Sequence, residues 1–128
     1  MNGGRKALGI KILITAVLLG GGAGLAFYAM HRLENPANEF DTYEALESSG
    51  LIEAGWVPRY LPRSAYEIHE THNLGTNGVR LSFRYQPGDV SEAERACGEA
   101  VSQQPSVFRC REGDLVLGPD GRGSFATD

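Results

Sequence analysis

The chain has 128 residues, 41% hydrophobic and 22% charged, with a formal net charge of −4, which allows one small domain plus an appendage but no second core. Residues 1–35 set Arg5, Lys6, Lys11 and Arg32 against Glu34 alone, a balance of +3, while the remainder sets eight arginines against fifteen carboxylates, a balance of −7. A head so acidic, with its arginines scattered along its length, lacks the basic stripe that a phosphate backbone requires, so nucleic-acid binding is excluded.

From Ile12 to Met30 the chain runs without a charged residue. At about 1.5 Å of rise per residue, a helix of that length reaches close to the roughly 30 Å of a bilayer's hydrocarbon core. Gly20, Gly21, Gly22 and Gly24 weaken such a helix in water but not decisively in lipid, where the backbone must satisfy itself. Arg5, Lys6 and Lys11 precede the segment, and by the positive-inside rule they hold the N-terminus in the cytoplasm. The expected layout is a cytoplasmic basic N-terminus (1–11), a transmembrane signal anchor (12–30), a linker (31–38) and a head (39–128) on the far side of the membrane. The alternative is a signal peptide cut after Ala26, leaving a secreted protein. Apolar residues continuing through Phe27, Tyr28 and Met30 favour the anchor.

In the head, Asp41 followed by Glu44 reads as an N-cap and capping-box partner, with Gly50 placed to stop a helix over 41–49. Trp56, Pro58 and Pro62 then force an extended path. Val79, Leu81, Phe83 and Tyr85 alternate with polar residues, which predicts a half-buried strand over 79–86. It faces a strand over 65–74 whose Tyr66, Ile68 and Leu74 share the core face, the two joined by a turn at Asn77-Gly78. Ser91 with Glu94 predicts a second capped helix, reaching about Val101. Strands over 107–111 and 115–117, with a closing hairpin ending near Phe125, complete the order α-β-β-α-β-β. That order makes a two-layer α+β domain with an antiparallel sheet.

Cys97 and Cys110 both lie beyond the span, so an oxidising compartment predicts a disulfide between them. His69 and His72 stand three apart in a strand and point to opposite faces, which is poor geometry for one ion. No metal, cofactor or catalytic residue is therefore expected. Arg80 and Arg84, with His69, share a strand face that could meet an anionic ligand or partner, or could be a solvated row pairing with Glu67.

The run GWVPRYLPRSAYEIHETHNLGTNGVRLSFRY, residues 55–85, resembles the small bacterial envelope proteins that carry a YbbD head domain. The matching positions are Gly55, Trp56, Pro58, Leu61, Pro62, Ser64, Ala65, Ile68, Glu70, His72, Asn73, Leu74, Thr76, Asn77 and Phe83, while Gly75 stands where the pattern carries an acidic residue. The resemblance implies a bacterial envelope location and no assigned chemistry. It draws attention to a polar cluster of Glu70, His72, Asn73 and Asn77 at the hairpin end, which satisfying the turn's backbone would explain. The expected function is a membrane-anchored, non-enzymatic head that binds a periplasmic protein. The alternatives are a ligand-sensing or hydrolytic module using Glu70, His72 and Asn77, and an immunity-type protein that neutralises a toxin.

Overall fold

The computed structural model describes residues 3–127; Met1, Asn2 and Asp128, and the side chains of Arg5, Lys6 and Ala7, lie outside the description. Two compact units divide the chain, Met1–Glu34 and Asn35–Asp128.

The first unit is one helix, α1 (Gly3–Glu34), unbroken by its glycines. Over Leu8–Glu34 it is long and apolar enough to cross a membrane, and its large apolar side chains stand exposed, as lipid-facing side chains would. It runs past both ends of the expected span. His31 and Arg32 close its last turn, where the helix dipole favours cations. Within the segment 31–38, residues 31–34 belong to α1 and β1 (Ala37–Thr42) begins three residues after Glu34.

In the second unit, α2 (Tyr43–Ser48) and α3 (Ser91–Cys97) accompany an antiparallel sheet. Its other strands are β2 (Tyr66–His72), β3 (Val79–Arg84), β4 (Ser102–Gln103), β5 (Ser106–Arg109), β6 (Asp114–Leu117) and β7 (Arg122–Ala126), and their spatial order is β1-β2-β3-β7-β6-β5-β4. The class is α+β as expected, but the order within the head is β-α-β-β-α-β-β-β-β. β7 returns to sit between β3 and β6, pairing Phe83 with Gly123 and Leu115 with Phe125. Gly123 is required there, since a Cβ would lie 2.2 Å from the Phe83 ring.

One sheet face carries Ile68, Leu81, Phe83, Leu115, Leu117 and Phe125, all buried, and the core is completed by Leu46 of α2, Ala93 of α3 and Val57 and Leu61 of the intervening loop. This two-layer arrangement is the usual way for a one-sided sheet to hide its apolar face. Trp56 packs, partly buried, against that core.

Several local expectations are corrected. Residues 41 and 42 belong to β1, which pairs Phe40 with Ile68 and Thr42 with Tyr66, so the helix starts late and its N-cap is Thr42 rather than Asp41. The Thr42 hydroxyl accepts the Ala45 N–H at 3.2 Å. Gly50, at φ 82°, follows the C-cap as a left-handed residue should. The second helix has no Ser91 capping box: Val90 is the cap, without a side-chain bond, and the helix stops at Gly98 (φ 81°) rather than reaching Val101. Tyr66 and Leu74 are exposed, not core. A bulge between Tyr66 and His69, with Glu67 at φ 47°, shifts the register and leaves the inner face of β2 to Ile68, Glu70 and His72.

Candidate functional site

Burying Glu70 is costly unless its charge is compensated, since a carboxylate taken out of water must find donors. Glu70 is fully buried and His72 nearly so, and as alternate residues of β2 they point to the same face. The His72 Nδ1 lies 2.6 Å from Glu70 Oε1. Asn38 Nδ2 of β1 donates to the other carboxylate oxygen, Oε2, at 2.8 Å. Asn38 is the register partner of Glu70, so strand pairing itself delivers the second donor. Trp56 covers the assembly, its ring stacked on the His72 imidazole at 4.1 Å between centroids and 22° between planes. Every buried side-chain polar atom among the described residues has a partner. A carboxylate accepting from an amide and an imidazole, roofed by an indole, is a closed polar clamp that ties β1, β2 and the loop after α2 together.

The remaining members of the expected polar cluster lie elsewhere. The Asn73 side-chain oxygen accepts the N–H groups of Gly75 and Thr76 at 2.9 and 2.8 Å, and its amide donates to Asn35 Oδ1 at 2.7 Å. Thr76 Oγ1 accepts from Gly78 N–H, and Asn73 N–H donates to Gly78 O, so these side chains build the loop 74–77. Asn77 occupies the left-handed region at φ 57° and faces a groove rather than the Glu70–His72 pair. Asn35 and Pro36 belong to this region too, since the His72 N–H donates to Pro36 O at 3.2 Å.

The residues of the expected anion or partner surface all lie exposed, and two of them are paired with carboxylates. His69 sits 3.3 Å from Glu39, and Arg84 Nε 3.1 Å from Glu67, all exposed. Arg80 is exposed on the same face, opposite Thr71. Ser64 is used structurally: its N–H and hydroxyl both donate to Asp89 Oδ2, at 3.0 and 2.7 Å, and its oxygen accepts from Gln86 N–H. Among the described residues no group of three or more His, Cys, Asp or Glu is arranged to hold a metal. The sulfurs of Cys97 and Cys110 are at disulfide distance, 2.07 Å, joining the end of α3 to the end of β5.

A groove of about 450 Å³ opens beside the clamp, with Trp56, Tyr60, Asn77, Glu112 and Phe125 among its lining. Tyr60 donates its hydroxyl to Glu112 Oε2 at 3.1 Å. Burial raises the Tyr60 pKa, and the Glu112 charge raises it further, so the phenol stays a donor. Asn38 and Glu112 escaped sequence reasoning: Asn38 lay in the presumed linker, and Glu112 follows an arginine in a turn with no distinguishing pattern. The one legible signal was the Glu-x-His spacing, which puts both side chains on one strand face.

Fold and site together define a small α+β head, carried after an apolar helix, whose polar centre is a closed carboxylate–imidazole clamp. Residues 34–84 match the family model described as the YbbD head domain. The resemblance read from residues 55–85 therefore holds and extends back through β1. Asn38, Trp56, Glu70 and His72 all fall inside the match, whereas Cys97, Cys110 and Glu112 lie beyond it. No curated protein and no solved structure matches the chain.

Proposed function

We propose that this chain is a single-pass protein of the bacterial inner membrane, N-terminus in the cytoplasm, whose disulfide-stapled head binds a protein partner in the periplasm without catalysing a reaction. The observation that carries the binding reading is the contrast between the two polar features of the head. The Glu70–His72 pair, which a hydrolase would need to present to substrate, is sealed beneath Trp56 and Asn38, while the groove beside it is open. Asn77, the third member of a hydrolytic site, does not join the pair, which disfavours that reading. The topology is supported by Arg5, Lys6 and Lys11 ahead of the apolar helix and by the paired cysteines after it.

The test is fractionation of bacteria producing the full chain, with intact-mass analysis after thiol alkylation. Full-length mass in the membrane, with thiols protected until reductant is added, is the expected result. A soluble form beginning near Phe27 would make the span a cleaved signal, and freely alkylated cysteines would overturn the periplasmic head. Photo-cross-linking residues placed around the head in living cells then test for a protein partner, and a head that cross-links to no protein anywhere on its surface would refute the binding reading.

A further inference from the structure

We propose that the groove between Trp56 and Glu112 receives the cationic side chain of an arginine or lysine from the partner protein. This rests on the reading of the head as a protein-binding module and names the chemistry of its contact.

Three observations converge on it. The first is an uncompensated carboxylate: Glu112 is exposed at the groove, its Oε2 accepts the Tyr60 hydroxyl, and no Lys, Arg or His among the described residues forms an ion pair with it. Arg59, also at the groove, directs its guanidinium to Glu53 at 3.2 Å. The second is the aromatic wall. Trp56 reaches the groove while its ring is stacked on His72, and His72 is in turn fixed by the buried Glu70. The buried Glu70 fixes the imidazole on which the indole stacks, and the stack favours one orientation of the indole. An indole and a carboxylate lining one groove are the pairing that attracts a cation, through the ring's negative face and through direct charge. The third is rigidity and field. Glu112 sits in the β5–β6 turn, closed by the Cys110 N–H to Gly113 O bond at 3.0 Å and anchored through Cys110 to Cys97. The head beyond residue 35 carries a balance of −7, which steers a basic partner toward it. A neutral glycan could also stack on Trp56, but it would leave the Glu112 charge unanswered.

Trp56 is the only tryptophan, so its fluorescence and its indole N–H resonance report on the groove directly. The experiment uses the full chain in detergent micelles, titrated with N-acetyl-arginine amide and, separately, with the uncharged isostere N-acetyl-citrulline amide. A saturable shift of the Trp56 signal is expected with the arginine probe, and binding about fivefold weaker or less with citrulline, the size of a single cation–aromatic contact of about 1 kcal/mol. Glu112→Gln should weaken the arginine response similarly at unchanged melting temperature, and Glu44→Gln, on exposed α2, should leave it intact. Equal responses to the two probes, or no saturable shift, overturn the proposal on the wild-type protein alone, whatever the variants do. A shift with chitotriose and none with arginine overturns it in favour of a glycan. Cross-links from the head in cells with a silent arginine probe would remove only this inference and leave the protein-binding reading standing.

Discussion

His72 Nδ1 and Glu70 Oε1 meet at 2.6 Å inside a head whose surface is otherwise rich in solvated charge, and the pair is covered by the one tryptophan of the chain. Breaking a buried pair by removing one partner leaves the other uncompensated, which costs more than the pair contributes net. Glu70→Ala should therefore destabilise the head by about 3 kcal/mol, because it orphans both the imidazole and the Asn38 amide. His72→Ala should lower the melting temperature as well, and should release Trp56, seen as a red-shifted, more exposed emission. A His72→Ala protein that melts like the wild type but loses partner capture would instead make the pair a functional site. Denaturant titration alongside cross-linking in cells separates the two.

The disulfide closes a loop with a sequence separation of 13, and its ends hold α3 against β5. Constraining a loop of that size removes unfolded-state entropy of about 3 kcal/mol, a large fraction of what a small core supplies. Cys97→Ser with Cys110→Ser should lower stability by that order while leaving the Glu70–His72 clamp formed, because the two lie on different strands. Far-ultraviolet circular dichroism with the Trp56 emission checks this, and a double variant as stable as the wild type would contradict it.

How much of this was legible in the sequence depends on the range of the interaction responsible. The apolar helix, the alternation in β3 and the cysteine pair are local patterns and were readable. The start of the head was not, because Ala37–Thr42 becomes a strand only by pairing with Tyr66–Thr71, a partner about thirty residues away. The same pairing moves the helix cap from Asp41 to Thr42. The clamp was half readable: the Glu-x-His spacing is local, but Asn38 and Trp56 arrive through tertiary structure. The bulge at Glu67, invisible in the pattern, turned Tyr66 outward.

That displaced cap makes its own prediction. Thr42→Ala removes the hydroxyl that accepts the Ala45 N–H and should cost about 1 kcal/mol, whereas Asp41→Ala, on the exposed side of β1, should cost much less. Equal losses, or a larger one at Asp41, would restore the cap that the sequence pattern suggested. Paired denaturation curves of the two variants decide it.

Alkaline stability follows from Tyr60. Burial, and then the charge of Glu112, raises its pKa above the ordinary value of 10.0, while unfolding returns it to that value. The folded state thus binds the phenolic proton more tightly than the unfolded state. The sign follows: the stabilisation is complete below pH 10 and is lost as pH rises from there toward the folded value. Tyr43 and Tyr85 are raised chiefly by burial and act in the same direction. The head should therefore lose stability steeply between about pH 10 and 12. Tyr60→Phe should cost about 1 kcal/mol at neutral pH through the lost bond to Glu112, yet show a shallower alkaline decline than the wild type. Denaturant midpoints measured across that range test both halves, and a Tyr60→Phe decline as steep as the wild type's would mean that Tyr60 does not govern the alkaline limb.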